Sequence, residues 1–413
     1  MELKYRLSYN KEWLAVTGGE GLEGNLVIPS EGVFEGNTYP VTMIEKKAFR
    51  HQLSLTSVTI PVSMEVIGEK AFEDCVNIVS VRLQTKDSLT IQESAFAGCK
   101  ALKEVVFPDE GFLTIGDYAF FNCGMEEIYI PDCVKRIGEC VFCSPRLRAF
   151  KTQSSDRFFT NDSKNVLFLR EVHQLIIGVT PDSKSTYCDY IVKAVANAGT
   201  KGVVTLPDFV TKIEAGAFME CTGLTQVILP ETIVSVAPET FFWCENLETI
   251  VMPNVKEIGE CAFCGCKSLR EIVSSVPFTL IEDRAFENCA SLTRITQRIE
   301  AKVLGWSAFS DCVKLTQINL ADSVYKIGES CFSNCSSLTS IDIPSSVDVI
   351  DDEAFENCSS LETIAFSDPN GDYGVLMGDR IFDGCISLRK IIINNASVLE
   401  DIGLPEGVEI VKP

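Results

Sequence analysis

Apolar residues recur in two different spacings near the start of the chain. In residues 55–60, LTSVTI, the last apolar positions alternate with polar ones, which predicts a short strand with one buried face. Pro61 follows directly and has no N–H group for a ladder, so the strand should end there. Ile67, Ala71 and Cys75 then fall at i, i+4 and i+8, which places them on one face of a two-turn helix. The pattern predicts a strand, a turn and a short helix.

A phenylalanine marks each repetition of this unit. Successive anchors lie 22 to 24 residues apart, except for one gap of 76 and a last interval of 27. A period in the twenties with a leucine framework is typical of a leucine-rich solenoid. The anchors are Phe49, Phe72, Phe96, Phe120, Phe142, Phe218, Phe241, Phe263, Phe286, Phe309, Phe332, Phe355 and Phe382.

Stacking these units predicts an α/β leucine-rich repeat solenoid with a period of about 23 residues. One long parallel β-sheet should line one side of a curved coil, with short helices on the opposite side. Stacked units share one core, so we expect a single domain over residues 1–413. Its parts would be an N-terminal cap (1–40), repeats (41–149), an irregular insertion with a β-hairpin and a degenerate turn (150–206), repeats (207–393) and a C-terminal cap (394–413).

The gap of 76 residues spans about three periods and predicts degenerate turns rather than a linker. Residues 165–169 and 174–179 look like two strands of a hairpin joined by residues 170–173. The segment either pads the coil or projects from it for recognition, because insertions in repeat proteins tend to lie on one working face.

Residues 338–358 follow the pattern LxxIxIPxxVxxIxxxAFxxC. This pattern resembles the consensus of the BspA-like leucine-rich repeat family, and the resemblance covers nearly the whole chain. The family consists of bacterial and Trichomonas surface proteins. The resemblance implies adhesion, binding of host or matrix proteins, or coaggregation, with no catalytic residues to carry over.

The chain is acidic, with 58 Asp and Glu against 36 Lys and Arg and a net charge of −22. Such a charge disfavours nucleic acid as a partner, because phosphates would be repelled. No stretch approaches the ~20 apolar residues of a membrane span, so we expect no membrane insertion. Several carboxylates follow a glycine and should cap the first turn of each predicted helix. They are Glu69, Asp117, Glu139, Glu260, Glu329 and Asp379.

Cysteines are numerous, and eleven of the thirteen anchors carry one three residues later. Neighbouring helices would hold these thiols ~8–10 Å apart, whereas disulfide Cβ atoms lie ~3.8 Å apart. We therefore expect buried thiols. Cys140-x-x-Cys143 and Cys261-x-x-Cys264-x-Cys266 leave a local dithiol open. A zinc site joining both clusters fails, because they lie several turns of coil apart.

Two further motifs imitate ligand sites. Gly19-x-Gly21-x-x-Gly24 matches a dinucleotide fingerprint in its letters, but it leads into a strand and carries acidic residues. We interpret it as a hairpin turn. Residues 368–379 resemble a calcium loop, but Tyr373 stands where the sharp turn needs glycine, so we interpret them as a loop insertion. No catalytic, cofactor or metal site is predicted.

The residue between the two buried positions of each strand should face outward on the sheet. This row is apolar in its middle and has a polar neighbouring row, which is typical of an interaction site. The alternative is that the β-branched residues of the row simply suit the surface of a sheet. The predicted partner-binding residues are Val106, Tyr129, Ile228, Val251, Val273, Glu104, Glu127 and Arg294.

These residues favour a non-enzymatic binding or adhesion protein with a protein or glycan partner, acting as a monomer. The alternative is an intracellular or self-assembling structural scaffold. Residues 1–6, MELKYR, lack the apolar run of a signal peptide. We therefore expect a cell-surface or extracellular location if a leader was trimmed, and a cytoplasmic one otherwise.

Overall fold

The computed structural model describes residues 2–152, 158–160, 166–176, 184–195, 200–367, 375–393, 399 and 404–412. The chain forms two compact units, residues 1–200 and 201–413. Each unit has its own parallel sheets built from a repeat of about 23 residues. A single domain with an N-terminal and a C-terminal cap stays a prediction.

Short strands make up the described part of both units. In the first unit they are β1 (Glu2–Leu7), β2 (Leu14–Glu20), β3 (Gly24–Val27), β4 (Glu31–Phe34), β5 (Asn37–Ile44), β6 (Leu55–Ile60), β7 (Val66–Ile67), β8 (Ser80–Leu83), β9 (Ser88–Ile91), β10 (Glu104–Val106), β11 (Phe112–Ile115), β12 (Glu127–Ile130), β13 (Val134–Ile137), β14 (Ala149–Thr152), β15 (Phe158–Thr160), β16 (Val166–Ile176) and β17 (Lys184–Val195). In the second unit they are β18 (Gly202–Thr205), β19 (Lys212–Ile213), β20 (Leu224–Ile228), β21 (Ser235–Val236), β22 (Thr249–Val251), β23 (Glu257–Ile258), β24 (Glu271–Val273), β25 (Leu280–Ile281), β26 (Val303–Leu304), β27 (Lys326–Ile327), β28 (Ser340–Ile343), β29 (Val349–Ile350), β30 (Thr363–Phe366), β31 (Leu376–Met377), β32 (Lys390–Ile392) and β33 (Glu409–Val411).

Most of the described coils contribute one strand to each of two separate ladders, instead of one strand to one sheet. In the first unit, β3, β6, β8 and β10 form one parallel ladder, while β5, β7, β9, β11 and β13 form the other. In the second unit, β18–β20–β22–β24 and β28–β30–β32–β33 are the ladders of the longer strands. The second ladder there runs β21–β23–β25–β26–β27–β29–β31. The core lies between the two ladders of each unit.

The longer strands follow the predicted alternation. In β6, Leu55, Val58 and Ile60 are buried while Thr59 is only half-buried. The strand ends immediately before Pro61, as the missing N–H group predicts.

The predicted short helices are wrong, because the described residues form consecutive tight turns between the second ladder and the cysteine. The N–H of Ala71 bonds to the carbonyl of Gly68, three residues back, at 3.1 Å. The N–H of Phe72 instead leaves the segment and bonds to the carbonyl of Ala95 in the next coil at 2.7 Å. An α-helix bonds every interior N–H to the carbonyl four residues back. Donors committed to the next coil cannot do so.

The turns have a left-handed backbone at two positions in most of the described coils. Lys70 has φ 56° and Asp74 has φ 58°. The second position, just before the cysteine, is Asn, Asp or Gly in nine of the eleven cysteine-bearing coils. These residue types adopt the left-handed region most readily. They are the sequence signal that distinguishes these turns from a helix.

Cross-coil bonding brings the anchor phenylalanines into two stacks. Ring centroids of Phe72 and Phe96 lie 5.1 Å apart, and those of Phe286 and Phe309 lie 5.4 Å apart. These spacings approach the ~4.8 Å between paired strands and are far below the ~8–10 Å between packed helices. Adjacent coils therefore lie closer together than packed helices, and the expected spacing of ~8–10 Å between their thiols is wrong.

The predicted hairpin in the insertion is also placed differently. Residues 165–169 and 174–179 were expected as separate strands, but β16 runs unbroken through residues 170–173. Its antiparallel partner is β17. Residues 177–183, which connect the two strands, lie outside the described residues. Residues 170–173 contain no Gly, Pro or Asn that would favour a turn.

The segment Gly19–Gly24 is not a hairpin turn, because β2 and β3 belong to different ladders. It is the corner where the chain passes from one ladder to the other. Gly21 has φ 59° and Gly24 has φ 67°, a backbone that glycine adopts without steric cost. The calcium-like segment 368–374 lies outside the described residues.

The acidic residues after the glycines are not helix caps as predicted, because the described residues that follow them form turns. Asp117 Oδ1 accepts the backbone N–H of Glu139 in the next coil at 2.9 Å. Glu282, which follows Ile281 rather than a glycine, accepts the backbone N–H of Glu260 through Oε2 at 2.9 Å. Part of the acidity is therefore structural, since these carboxylates satisfy backbone donors of adjacent coils.

Candidate functional site

The exposed face of β20, β22 and β24 carries an apolar row in the second unit. The parallel register places Ile228 beside Val251 and Val251 beside Val273. Ile228 and Val251 are half-buried, and Val273 is 41% exposed. We call these three residues the apolar row.

A polar row runs alongside it, two residues earlier in each strand. Gln226 pairs with Thr249, and Thr249 pairs with Glu271. Glu271 is exposed, whereas the other two are half-buried. The face therefore combines contiguous apolar side chains with hydrogen-bonding groups along one edge.

Beyond β24 the ladder of longer strands is interrupted. A polar groove lies there, lined by the segments that correspond to the longer strands of other coils. An isolated parallel bridge joins Arg294 to Gln317. The groove has a volume of about 410 Å³, and both residues line it together with Thr296, Asn319 and Asp342. Its lining offers the guanidinium donors of Arg294, the carboxylate acceptors of Asp342, and amides that do both.

The predicted site residues of the first unit fall into two sheets. Val106 and Glu104 lie on β10, whose ladder continues through β8. Tyr129 and Glu127 lie on β12, which pairs only with β14 among the described strands. Tyr129 is 44% exposed, while Val106 is half-buried. Glu127 forms an ion pair with Lys151 on β14.

The second ladder presents an outward row that the sequence reasoning missed. Glu257 pairs with Leu280 and Lys326 pairs with Val349, and each stands just before a buried Ile. This row mixes charged and apolar residues and does not form a continuous apolar strip. Its signal in the sequence is the residue before the isoleucine of each Ile-Gly or Ile-acidic pair.

The repeated cysteines form a ladder of their own inside each unit. The thiol of Cys289 donates to the carbonyl of Phe263 at 3.2 Å, and that of Cys244 donates to the carbonyl of Phe218 at 3.0 Å. Burial raises the pKa of Cys244 to about 12. Because these thiols are fully buried and each donates to a backbone carbonyl, their sulfur atoms are structural. The sequence indicated their burial but not the carbonyl that each one binds.

Within the residues that the structure describes, no group of three or more His, Cys, Asp or Glu could hold a metal ion. The same residues include no helix long and apolar enough to cross a bilayer.

The repeat, the ladders and the stacked phenylalanines define a leucine-rich repeat protein. The family model described as "BspA type Leucine rich repeat region (6 copies)" matches residues 36–150, 197–315 and 279–403. The chain belongs to this family. No curated protein matches it.

Solved structures of bacterial leucine-rich repeat proteins are similar to this chain. One from Eubacterium ventriosum is 20% identical with a TM-score of 0.55, over 93% of this chain and 92% of that one. One from Bacteroides ovatus is 23% identical with a TM-score of 0.48, over 99% and 98%. A leucine-rich cell surface protein from Faecalibacterium prausnitzii is 22% identical with a TM-score of 0.36, over 94% and 92%. The first of these likenesses supports the fold alone.

Proposed function

We propose that this protein is a non-enzymatic binding protein that presents the face of β20, β22 and β24 to a protein partner. The observation that carries the proposal is the apolar row of Ile228, Val251 and Val273, aligned by register and bordered by polar residues. An exposed apolar strip with a polar rim is typical of an interaction surface. Membership of the family, whose members are surface and adhesion proteins, agrees with this role.

The charged neighbours would orient the partner rather than supply most of the affinity. Glu271 and Arg294 are exposed beside the row, and rim charges act mainly on association rate and specificity. The polar groove around Arg294 extends the surface with donors and acceptors, which glycan hydroxyl groups would also use. In the first unit, Val106 with Glu104 on β10 and Tyr129 with Glu127 on β12 are further candidate contacts, on two separate sheets.

The family further supports a location at the bacterial cell surface. Brief protease treatment of intact cells tests this, because a surface protein is cleaved while the cells remain sealed. Complete protection until the cells are lysed would instead favour the intracellular scaffold.

The binding role is tested with Val251→Asp on an array of matrix proteins and glycans. A carboxylate at the centre of the row should weaken binding at least tenfold, because a buried unpaired charge is costly at an interface. Val349→Asp is the matched control, since Val349 is also a half-buried valine at an outward strand position, but on the second ladder. Both variants should melt at similar temperatures. Equal binding by both variants and the wild type would show that the row is the wrong surface.

A further inference from the structure

Cys261 and Cys264 occupy the two ends of one tight turn in the second unit. The N–H of Cys264 donates to the carbonyl of Cys261 at 3.1 Å, which closes a four-residue β-turn over Ala262 and Phe263. The first and last Cα atoms of a β-turn lie within about 7 Å. A disulfide spans Cα separations of about 4.4–6.8 Å. The backbone therefore already holds the two cysteines at a separation suited to a disulfide.

Side chains at the same two positions contact each other in other coils. In the next coil these positions are Arg284 and Glu287, whose Nε and Oε2 atoms form an ion pair at 2.7 Å. In the first unit they are Tyr118 and Phe121, whose ring centroids lie 5.8 Å apart. The turn therefore directs its first and fourth side chains toward each other.

These two thiols differ from the cysteine ladder. Each is 5% exposed, whereas Cys266 is fully buried and donates to the carbonyl of Phe241 at 3.1 Å. The thiol of Cys264 instead donates to Glu287 Oε2 at 3.2 Å, at the edge of the turn. From this arrangement we propose that Cys261 and Cys264 form a reversible intramolecular disulfide.

The oxidant is a small organic disulfide, RSSR. The thiolate of Cys261 attacks one sulfur of RSSR, so that its S–S bond breaks, a mixed disulfide forms and RS⁻ leaves. The thiolate of Cys264 then attacks the Cys261 sulfur of the mixed disulfide and releases the second RS⁻. The two cysteines together lose two protons and two electrons, and RSSR is reduced to two RSH.

The neighbouring charges set the order of attack. Burial raises the pKa of Cys261, but the guanidinium of Arg284 counteracts this. Burial and the carboxylate of Glu287 both raise the pKa of Cys264. The thiolate therefore forms more readily at Cys261, and Cys264 resolves the mixed disulfide.

The test uses the full folded chain equilibrated with oxidised glutathione. Remaining thiols are then alkylated in denaturant and located by peptide mass spectrometry. We expect the peptide with Cys261 and Cys264 to be two hydrogens lighter and to carry no label at either cysteine. Dithiothreitol should restore both labels, while Cys266 and Cys289 should be labelled throughout.

Two variants separate this pair from general thiol oxidation. Cys264→Ser should leave Cys261 as a mixed disulfide with glutathione, because the resolving thiol is missing. Cys266→Ser should leave the Cys261–Cys264 disulfide unchanged. Full labelling of both cysteines after oxidation, or a disulfide from either one to another cysteine, would overturn the proposal.

Discussion

The thiol of Cys312 donates a hydrogen bond to the carbonyl oxygen of Phe286, one coil earlier, across 3.2 Å. The same bond recurs from coil to coil, for example from Cys335 to Phe309 at 3.2 Å and from Cys358 to Phe332 at 3.1 Å. A cysteine suits this position because it is small and can donate a hydrogen bond to a buried carbonyl. The rings of the same phenylalanines stack on one another. The thiol–carbonyl bonds and the stacked rings therefore both stabilise the contact between adjacent coils.

Cys312→Ala should lower the free energy of unfolding by about 1–2 kcal/mol. The carbonyl of Phe286 loses the thiol donor and keeps only the N–H of Cys289, and a small cavity remains. Cys312→Ser should cost less, since the hydroxyl keeps a donor in place. Denaturant unfolding of both variants against the wild type measures the difference.

Cys331→Ala is the control for this comparison. Cys331 is equally buried but stands where other coils have alanine, such as Ala308 and Ala354. It should cost less than Cys312→Ala. Equal losses would mean that sulfur volume, rather than the bond to Phe286, stabilises the coil.

Asn334→Val should also destabilise the second unit. Asn334 has φ 61°, and a left-handed backbone costs an ordinary L-residue roughly 1–2 kcal/mol, most of all a β-branched one. Asn334→Gly should leave the melting temperature unchanged or slightly raised. Thermal unfolding followed by circular dichroism compares the two.

Ser340→Val provides a second comparison, because Ser340 is exposed in the regular strand β28, where valine is favoured. If Asn334→Val were as harmless as Ser340→Val, the left-handed turn would not be present in solution.

Alkaline pH should destabilise the protein. Burial raises the pKa of Cys244 to about 12, above the ~8.5 of a thiol in an unfolded chain. The folded thiol stays protonated while the unfolded one ionises, so its contribution is complete below pH ~8.5 and is lost as the pH rises toward the folded value.

Above pH ~9, each buried thiol of this kind should lower the free energy of unfolding by about 1.4 kcal/mol per pH unit. Unfolding measured from pH 7 to 10.5 should therefore show a shallower decline for Cys244→Ser than for the wild type. Parallel declines would indicate that Cys244 is accessible to solvent in the folded protein.

The sequence predicted the longer strands well, because their alternation is local and Pro61 and its counterparts end them. It also placed Ile228, Val251 and Val273 at corresponding outward positions, where the parallel register aligns them. Their role as a binding site stays a prediction, since spacing identifies the exposed face but not the molecule that covers it.

The helices could not be rejected by the same reasoning. The spacing of Ile67, Ala71 and Cys75 fits a helix equally well, and whether Phe72 donates its N–H within its own coil or to Ala95 is a tertiary choice. The Asn, Asp or Gly before nine of the eleven repeat cysteines is the local signal for left-handed turns. The second ladder was missed because strands of two residues, such as Val66–Ile67, are too short to show a period.

Footprinting of the bound complex shows whether the partner covers the face of β20, β22 and β24. A partner identified on the array is added to the wild-type chain, and backbone protection is followed by hydrogen–deuterium exchange. We expect new protection in residues 224–228, 249–251 and 271–273, with the second-ladder strands at 257–258 and 326–327 unchanged. Protection confined to the second ladder or the turns would contradict it.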